Sequence, residues 1–213
     1  MPDNVIELKP RPRGRVTVKL AGGRFFTIPQ DAVTFNVGAV VSDEDVTRFD
    51  RMDQYFRGKD KAHLLISRRM RTREQVAGAL DKLAIETSIR NGILTELEET
   101  GLVDDLRFAH EYVRIKRDVR RHGPYRLRYD LGRMGVRKSI VEGVLEETFD
   151  VPTQESMARE LAETRAAGCP VDEKAARRIG DFLRRRGFDY EVVNNVVYDL
   201  LHQTNVPDND YES

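Results

Sequence analysis

Cysteine is nearly missing from this 213-residue chain: Cys169 stands alone, so no disulfide can form within it. That fits a reducing cytoplasm and excludes a small secreted module held by disulfides. Cys169 lies between Gly168 and Pro170, with nothing beside it in sequence to lower a thiol pKa, and reads as a loop residue. Long apolar runs are missing too. The longest span a few residues, far short of a bilayer crossing. The start, Met-Pro-Asp-Asn, lacks the basic and apolar regions of a signal peptide. A cytoplasmic protein without membrane contact is expected. Net charge is also lacking, with 36 Lys plus Arg against 36 Asp plus Glu, which taken alone argues against a general polyanion binder. No catalytic pattern is present. His63, His110, His122 and His202 are scattered without metal-ligand spacing. There is no G-x-x-x-x-G-K-[ST] loop and no G-x-G-x-x-G after a strand, and Gly22-Gly23 is too short for a phosphate cradle. The chain is therefore read as no enzyme, with no metal and no cofactor.

What is present is charge in quantity, 34% of residues, with a modest 39% of hydrophobic ones. That balance suits small amphipathic helical units better than one large core. Residues 1–15, rich in Pro, Arg and Lys, read as a flexible lead-in. Val16, Val18 and Leu20 then alternate with Thr17 and Lys19, Gly22-Gly23 follows, and Phe25, Phe26, Thr27 and Ile28 come next, which predicts a β-hairpin. Ser42 can cap a helix whose first turn holds Asp43, Glu44 and Asp45. Val46, Phe49, Met52 and Phe56 continue it at helical spacing, and Gly58 is expected to end it. Hairpin and linker helix thus occupy 16–58.

From about residue 60 the sequence repeats. Ala84, Gly135 and Gly187 sit 51 and 52 residues apart. Five apolar columns keep that register: Val76, Leu127 and Ile179; Leu80, Leu131 and Leu183; Ile85, Val136 and Phe188; Ile89, Ile140 and Val192; Ile93, Val144 and Val196. Each copy reads as three helices, giving repeats at 59–103, 104–151 and 152–204 and a flexible tail at 205–213. Thr72 and Gln75 predict a capping box, Gly123-Pro124 a helix start with proline in the first turn, and Asp189 an N-cap. Gly135 and Gly187 fall where a helix must stop and a positive φ is needed. Units of this size cannot share one core and are expected to stack end to end. The fold class is mainly α: three tandem three-helix repeats in an elongated array after a small N-terminal β-hairpin plus helix.

The zero net charge hides an asymmetry. Residues 107–138 hold eleven Lys or Arg and three acids, whereas 139–165 hold seven acids and two bases. On the helix from Arg107 to Arg121, the spacing of Phe108, Tyr112, Ile115 and Val119 predicts an apolar face. Arg114, Arg117 and Arg121 share another face with His110, flanked by Lys116 and Arg120. Neutralising acids are nearly absent, so the stripe suits phosphates or an acidic protein groove; the alternative is a solvated face. Beyond it come Tyr125, Arg126, Arg128 and Arg133. Tyr125 either stacks on a base or partner side chain or packs between repeats. Asp104 and Asp105 precede Phe108 and fit the capped start of a helix better than a catalytic pair.

The stretch GLVDDLRFAHEYVRIKRDVRRHGPYRLRYDLGRMGV resembles the signature of the RecX family, with Leu102, Asp104, Asp105, Phe108, Ala109, Val113, Arg117, Gly123, Leu127, Leu131, Gly135 and Val136 in matching places. AHLLISRRMRTREQVAGAL is similar to that family's first repeat at Ala62, Leu65, Arg69, Arg71, Glu74 and Leu80. The hairpin with Gly23, Phe25, Ile28 and Pro29 resembles the N-terminal extension of longer members. The resemblance covers roughly 15–203 and implies a monomeric regulator of the RecA recombinase. Such proteins bind the groove of the RecA–DNA filament, inhibit or remodel it, and so limit recombination and the SOS co-protease activity; many also bind single- or double-stranded DNA. The RecA/DNA-binding residues are then Arg114, Lys116, Arg117, Arg120, Arg121, Tyr125, Arg126, Arg128 and Arg133. The alternative is a free-standing helical DNA-binding protein. A repressor would be a two-fold dimer, and three unequal repeats with only the middle one strongly basic argue against it.

Overall fold

The computed structural model describes residues 3–166 and 171–203. The readings of Cys169 as a loop residue and of 205–213 as a flexible tail lie outside those residues. The chain divides into two compact units, Met1–Asp104 and Asp105–Ser213.

In the first unit, strands β1 (Asp3–Arg11), β2 (Arg15–Leu20), β3 (Phe25–Pro29) and β4 (Val40–Val41) form an antiparallel sheet in the order β3-β2-β1-β4. The β2–β3 hairpin turns at Gly22-Gly23 as its alternation requires. The lead-in reading of 1–15 is corrected: β1 pairs with β2 from Val5 to Arg11. Only Val5 is fully buried and Leu8 packs beside it, while Lys9, Pro10 and Arg11 face solvent. A strand with one wet face and two apolar anchors carries too little hydrophobic signal to stand out from a polar leader.

Helix α1 (Asp43–Ile66) opens on a reciprocal capping box between Ser42 and Asp45. It runs straight through Gly58, which corrects the expectation that this glycine ends it. A Cβ there would stand 2.6 Å from Ile93 Cδ1 and 3.6 Å from Leu80 Cδ2, so the missing side chain is a close-packing device. Up to Met52, α1 packs on the sheet; from Tyr55 on, it packs on helices α2 (Arg73–Asp81) and α3 (Thr87–Glu99). One helix therefore closes the sheet and serves as the first helix of repeat 1. Polar ties reinforce both ends. Asp53 Oδ1 accepts the Thr27 N–H at 2.8 Å on the open edge of β3. Glu96 on α3 accepts from Tyr55 Oη at 2.7 Å and from Lys59 Nζ at 2.5 Å. Thr72 Oγ1 caps α2 by accepting the Gln75 N–H at 3.2 Å.

The second unit holds repeat 2, with α4 (Asp105–Arg120), α5 (Pro124–Arg133) and α6 (Lys138–Thr148), and repeat 3, with α7 (Val151–Ala166), α8 (Glu173–Arg186) and α9 (Tyr190–Gln203). The repeat register survives in the backbone. Ala84, Gly135 and Gly187 have φ of +52°, +80° and +89°, each ending the second helix of its repeat. All five apolar columns are buried except at Ile140, which is half-buried. The expectation that no core is shared does not hold for repeats 2 and 3. One contiguous cluster runs from Ala109, Val113 and Leu131 to Ala158, Leu183 and Val196.

The seam between these repeats is made of backbone. The N–H of Gly123 donates to the Arg186 carbonyl at 2.9 Å, and that of Tyr125 to the Gly187 carbonyl at 3.0 Å. The orphan donors at the start of α5 are thus satisfied by the orphan acceptors at the end of α8, with the two helix dipoles head to tail. Contact this close requires glycine on both sides. A Cβ on Gly123 would lie 2.5 Å from the Gly187 carbonyl carbon, and one on Gly187 would lie 2.5 Å from Arg126 Cβ.

Candidate binding surface on repeats 2 and 3

Asp104 immediately precedes α4 and Asp105 lies in its first turn, where acids complement the helix dipole. The buried ridge of α4 is Ala109 and Val113, with Phe108 and Tyr112 packed beside it. Ile115 and Val119 are 47% and 70% exposed, so the predicted four-residue apolar face is corrected. The row flanks the true ridge, and only its first two members reach the core. Tyr112 Oη donates to Asp130 Oδ2 at 3.2 Å; burial, then the Asp130 charge, push its pKa up to about 12.

Acids are not absent from the basic stripe. Arg114 pairs with Glu111 at 2.7 Å, Arg117 with Asp118 at 2.7 Å and Arg121 with Glu160 of α7 at 3.0 Å. Arg126 pairs with Asp130 at 3.2 Å, and Arg128 grips Glu142 of α6 through two nitrogens at 2.8 Å each. Hydrogen bonding to Glu142 raises the Arg128 pKa, and the same bond lowers that of Glu142. Lys116, Arg120 and Arg133 have no carboxylate partner among the described residues. Lys116 Nζ stands 5.4 Å from the Tyr112 ring centre and the Arg133 guanidinium 5.8 Å from that of Tyr129. Tyr125 is exposed, although its hydroxyl reaches Asp189 Oδ2 of repeat 3 at 3.3 Å.

The structure adds cations that the sequence reading passed over. Residues 173–187 carry six Lys or Arg against two acids, so repeat 2 is not alone in being strongly basic. Arg186 donates to the Arg120 carbonyl, which brings the Arg184-Arg185-Arg186 end of α8 to the end of α4. The run was legible; its place beside Arg120 was not, because it depends on the Gly123–Gly187 seam.

His122 sits in this junction with Nδ1 buried and no hydrogen-bond partner among the described residues. Burial first, then Arg186, with Arg126 and Lys116 adding and Asp130 opposing, lower its pKa from 6.5. The folded state therefore resists protonation that the unfolded chain accepts. Its stabilising share is whole above pH 6.5 and is lost as pH falls through that value toward the folded pKa. Melting temperatures of the parent should fall from pH 7.5 to about 5.5 more steeply than those of His122→Gln. Parallel profiles would remove the histidine from the account.

Tandem three-helix repeats thus bring the basic end of α8 to the end of α4, where Arg186 meets the Arg120 carbonyl. Among the described residues no group of three His, Cys, Asp or Glu is placed to hold a metal, and no helix is long and apolar enough to cross a membrane. The chain belongs to the RecX family of regulatory proteins. Residues 104–145 match the family's second three-helix domain and 153–197 its third. The chain is 36% identical over 137 residues to Regulatory protein RecX of Halorhodospira halophila, covering 63% of this chain and 83% of that one. It is 28% identical over 200 residues to Regulatory protein RecX of a Geobacillus species, covering 90% and 73%. The fold is similar to a crystal structure of a regulatory protein RecX, with a TM-score of 0.69 over 94% of this chain and 99% of that one at 20% identity.

Proposed function

We propose that this protein is a RecA regulator that binds the RecA–DNA filament as a monomer in the cytoplasm and inhibits or remodels it. The observation that carries the reading is the meeting of Lys116, Arg126 and Arg186 around His122, with Arg186 also held by the Arg120 carbonyl, in a member of the RecX family. The filament is a polyanion coated by protein, and such a cationic junction suits its phosphates or its acidic side chains. Arg114, Lys116, Arg117, Arg120, Arg121, Tyr125, Arg126, Arg128 and Arg133 form the contact surface, extended by Arg184 and Arg185. Arg114, Arg117, Arg121, Arg126, Arg128 and Arg184, already paired with carboxylates, exchange those partners on binding, so Lys116, Arg120 and Arg133 contribute most per residue.

The test is DNA-dependent ATP hydrolysis by RecA during filament growth. Inhibition is expected at a ratio well below one protein per RecA, because stopping a growing end takes few molecules. Inhibition that appears only when the protein saturates free DNA would mean competition for DNA, which is how a free-standing DNA-binding protein would act.

A further inference from the structure

Helix α5 turns two tyrosines to solvent one helical turn apart. Tyr125 and Tyr129 are 55% and 57% exposed, whereas Pro124, Leu127 and Leu131 on the opposite side are buried. Side chains at i and i+4 stand about 5–6 Å apart and point the same way. The next position on this face is Gly132, and a Cβ there would have no neighbour within 4 Å, so the surface beyond Tyr129 is flat. Guanidinium groups lie over both rings. The Arg128 carbon stands 5.2 Å from the Tyr125 ring centre, and those of Arg126 and Arg133 stand 6.0 and 5.8 Å from that of Tyr129. Asp189 holds the Tyr125 hydroxyl, while Arg126 and Arg128 rest on Asp130 and Glu142.

We infer that the solvent face of α5 is a stacking platform for single-stranded nucleic acid, with Tyr125 and Tyr129 each receiving a base while Arg126, Arg128 and Arg133 meet the phosphates between them. The guanidinium groups move off the rings when a base stacks there, and Arg126 and Arg128 exchange their carboxylates for phosphates on binding. The inference rests on the proposed nucleic-acid contact of this family member and names its chemistry. An aromatic face serves a base only when that base is unpaired and free to leave its stack, so the platform selects single strands over duplex. Two aromatic planes and three cations within little more than two turns of helix match the two parts of a nucleotide chain, and an acidic peptide would leave the rings unused.

Tryptophan is absent and tyrosines number seven, so fluorescence excited at 280 nm reports tyrosine directly. Titration of the full chain with a fluorescein-free oligo-dT is expected to quench it. Removing base–aromatic stacking costs on the order of 10-fold in affinity per ring, so Y125S/Y129S should bind on the order of 100-fold more weakly with an unchanged salt slope, because no phosphate contact is lost. Y125F/Y129F keeps the rings and should bind like the parent. Both residues are exposed, and circular dichroism should show the parent fold. The inference is overturned if Y125S/Y129S binds oligo-dT like the parent, if the parent prefers duplex of equal length, or if only an acidic peptide feels the change. A parent that restrains RecA but binds no single strand also overturns it while leaving the proposed function standing. Stacking through both tyrosines without any effect on RecA does the reverse.

Discussion

Gly187→Ala is expected to destabilise the second unit severely. Two costs combine. The residue sits at φ +89°, where an L side chain is strained by about 1–3 kcal/mol. The new Cβ would also lie 2.5 Å from Arg126 Cβ and 2.9 Å from its Cα, and backbone held by the Tyr125–Gly187 hydrogen bond cannot move aside alone. A total loss upward of ~3 kcal/mol follows, with a fall in melting temperature upward of ~10 °C for a unit of this size. Gly123→Ala should behave alike through the Gly187 carbonyl, without the φ strain. Gly143→Ala is the control. It lies within α6 with open space at its Cβ, so alanine should raise stability by about 0.5–1 kcal/mol. Thermal melts of the three variants decide the matter, and equal melting temperatures for Gly187→Ala and the parent would show that the seam holds nothing together.

The second large effect is on binding. Changing Lys116, Arg120 and Arg133 together to Glu inverts six units of charge on repeat 2 without breaking an ion pair, since none of the three has a carboxylate partner among the described residues. Arg120 and Arg133 are exposed and Lys116 is half-buried beside the Tyr112 ring, so helix content should stay near the parent's and the melting temperature should fall only slightly. Association with the RecA filament should drop by at least about 100-fold. If phosphate is the partner, the slope of log affinity against log salt should flatten by about two units for three lost single-strand contacts. The comparison set Arg114, Arg117 and Arg121 to Glu also inverts six units but leaves Glu111, Asp118 and Glu160 unpaired, so its losses in binding and stability come together. A folded Lys116/Arg120/Arg133 variant that inhibits RecA like the parent moves the contact surface elsewhere, with the Arg68, Arg69 and Arg71 turn between α1 and α2 next in line.

The repeat was legible because it is written twice. Apolar columns such as Leu80, Leu131 and Leu183 mark the core, and Ala84, Gly135 and Gly187 mark the left-handed turn that ends a helix. Capping at Ser42, Thr72 and Asp189 was legible for the same reason, since those signals are local. Features that join distant segments were not. Strand β1 looks polar because one face is wet, and its partners come from 15–20 and 40–41. Gly58 carries the mark of a helix end, yet serves a contact with Ile93 that only the folded chain reveals. The basic residues of the stripe were named from the sequence, but their acidic partners Glu142 and Glu160 lie 14 and 39 positions from Arg128 and Arg121. Tyr129 was overlooked because a helix buries or exposes a tyrosine according to the ridge it misses, and that ridge is set by Leu127 and Leu131.

Helix α1 has a consequence for how such a chain can be cut or recombined. Val46 and Phe49 belong to the sheet's core and Ala62 to that of the first repeat, on one uninterrupted helix. A break at position 58, where composition alone puts a border, severs that helix and leaves the sheet with a stub and the repeat without its first wall. The sheet is therefore no detachable appendage. Cutting or grafting at that position disrupts both cores, because the helix they share has no break between them.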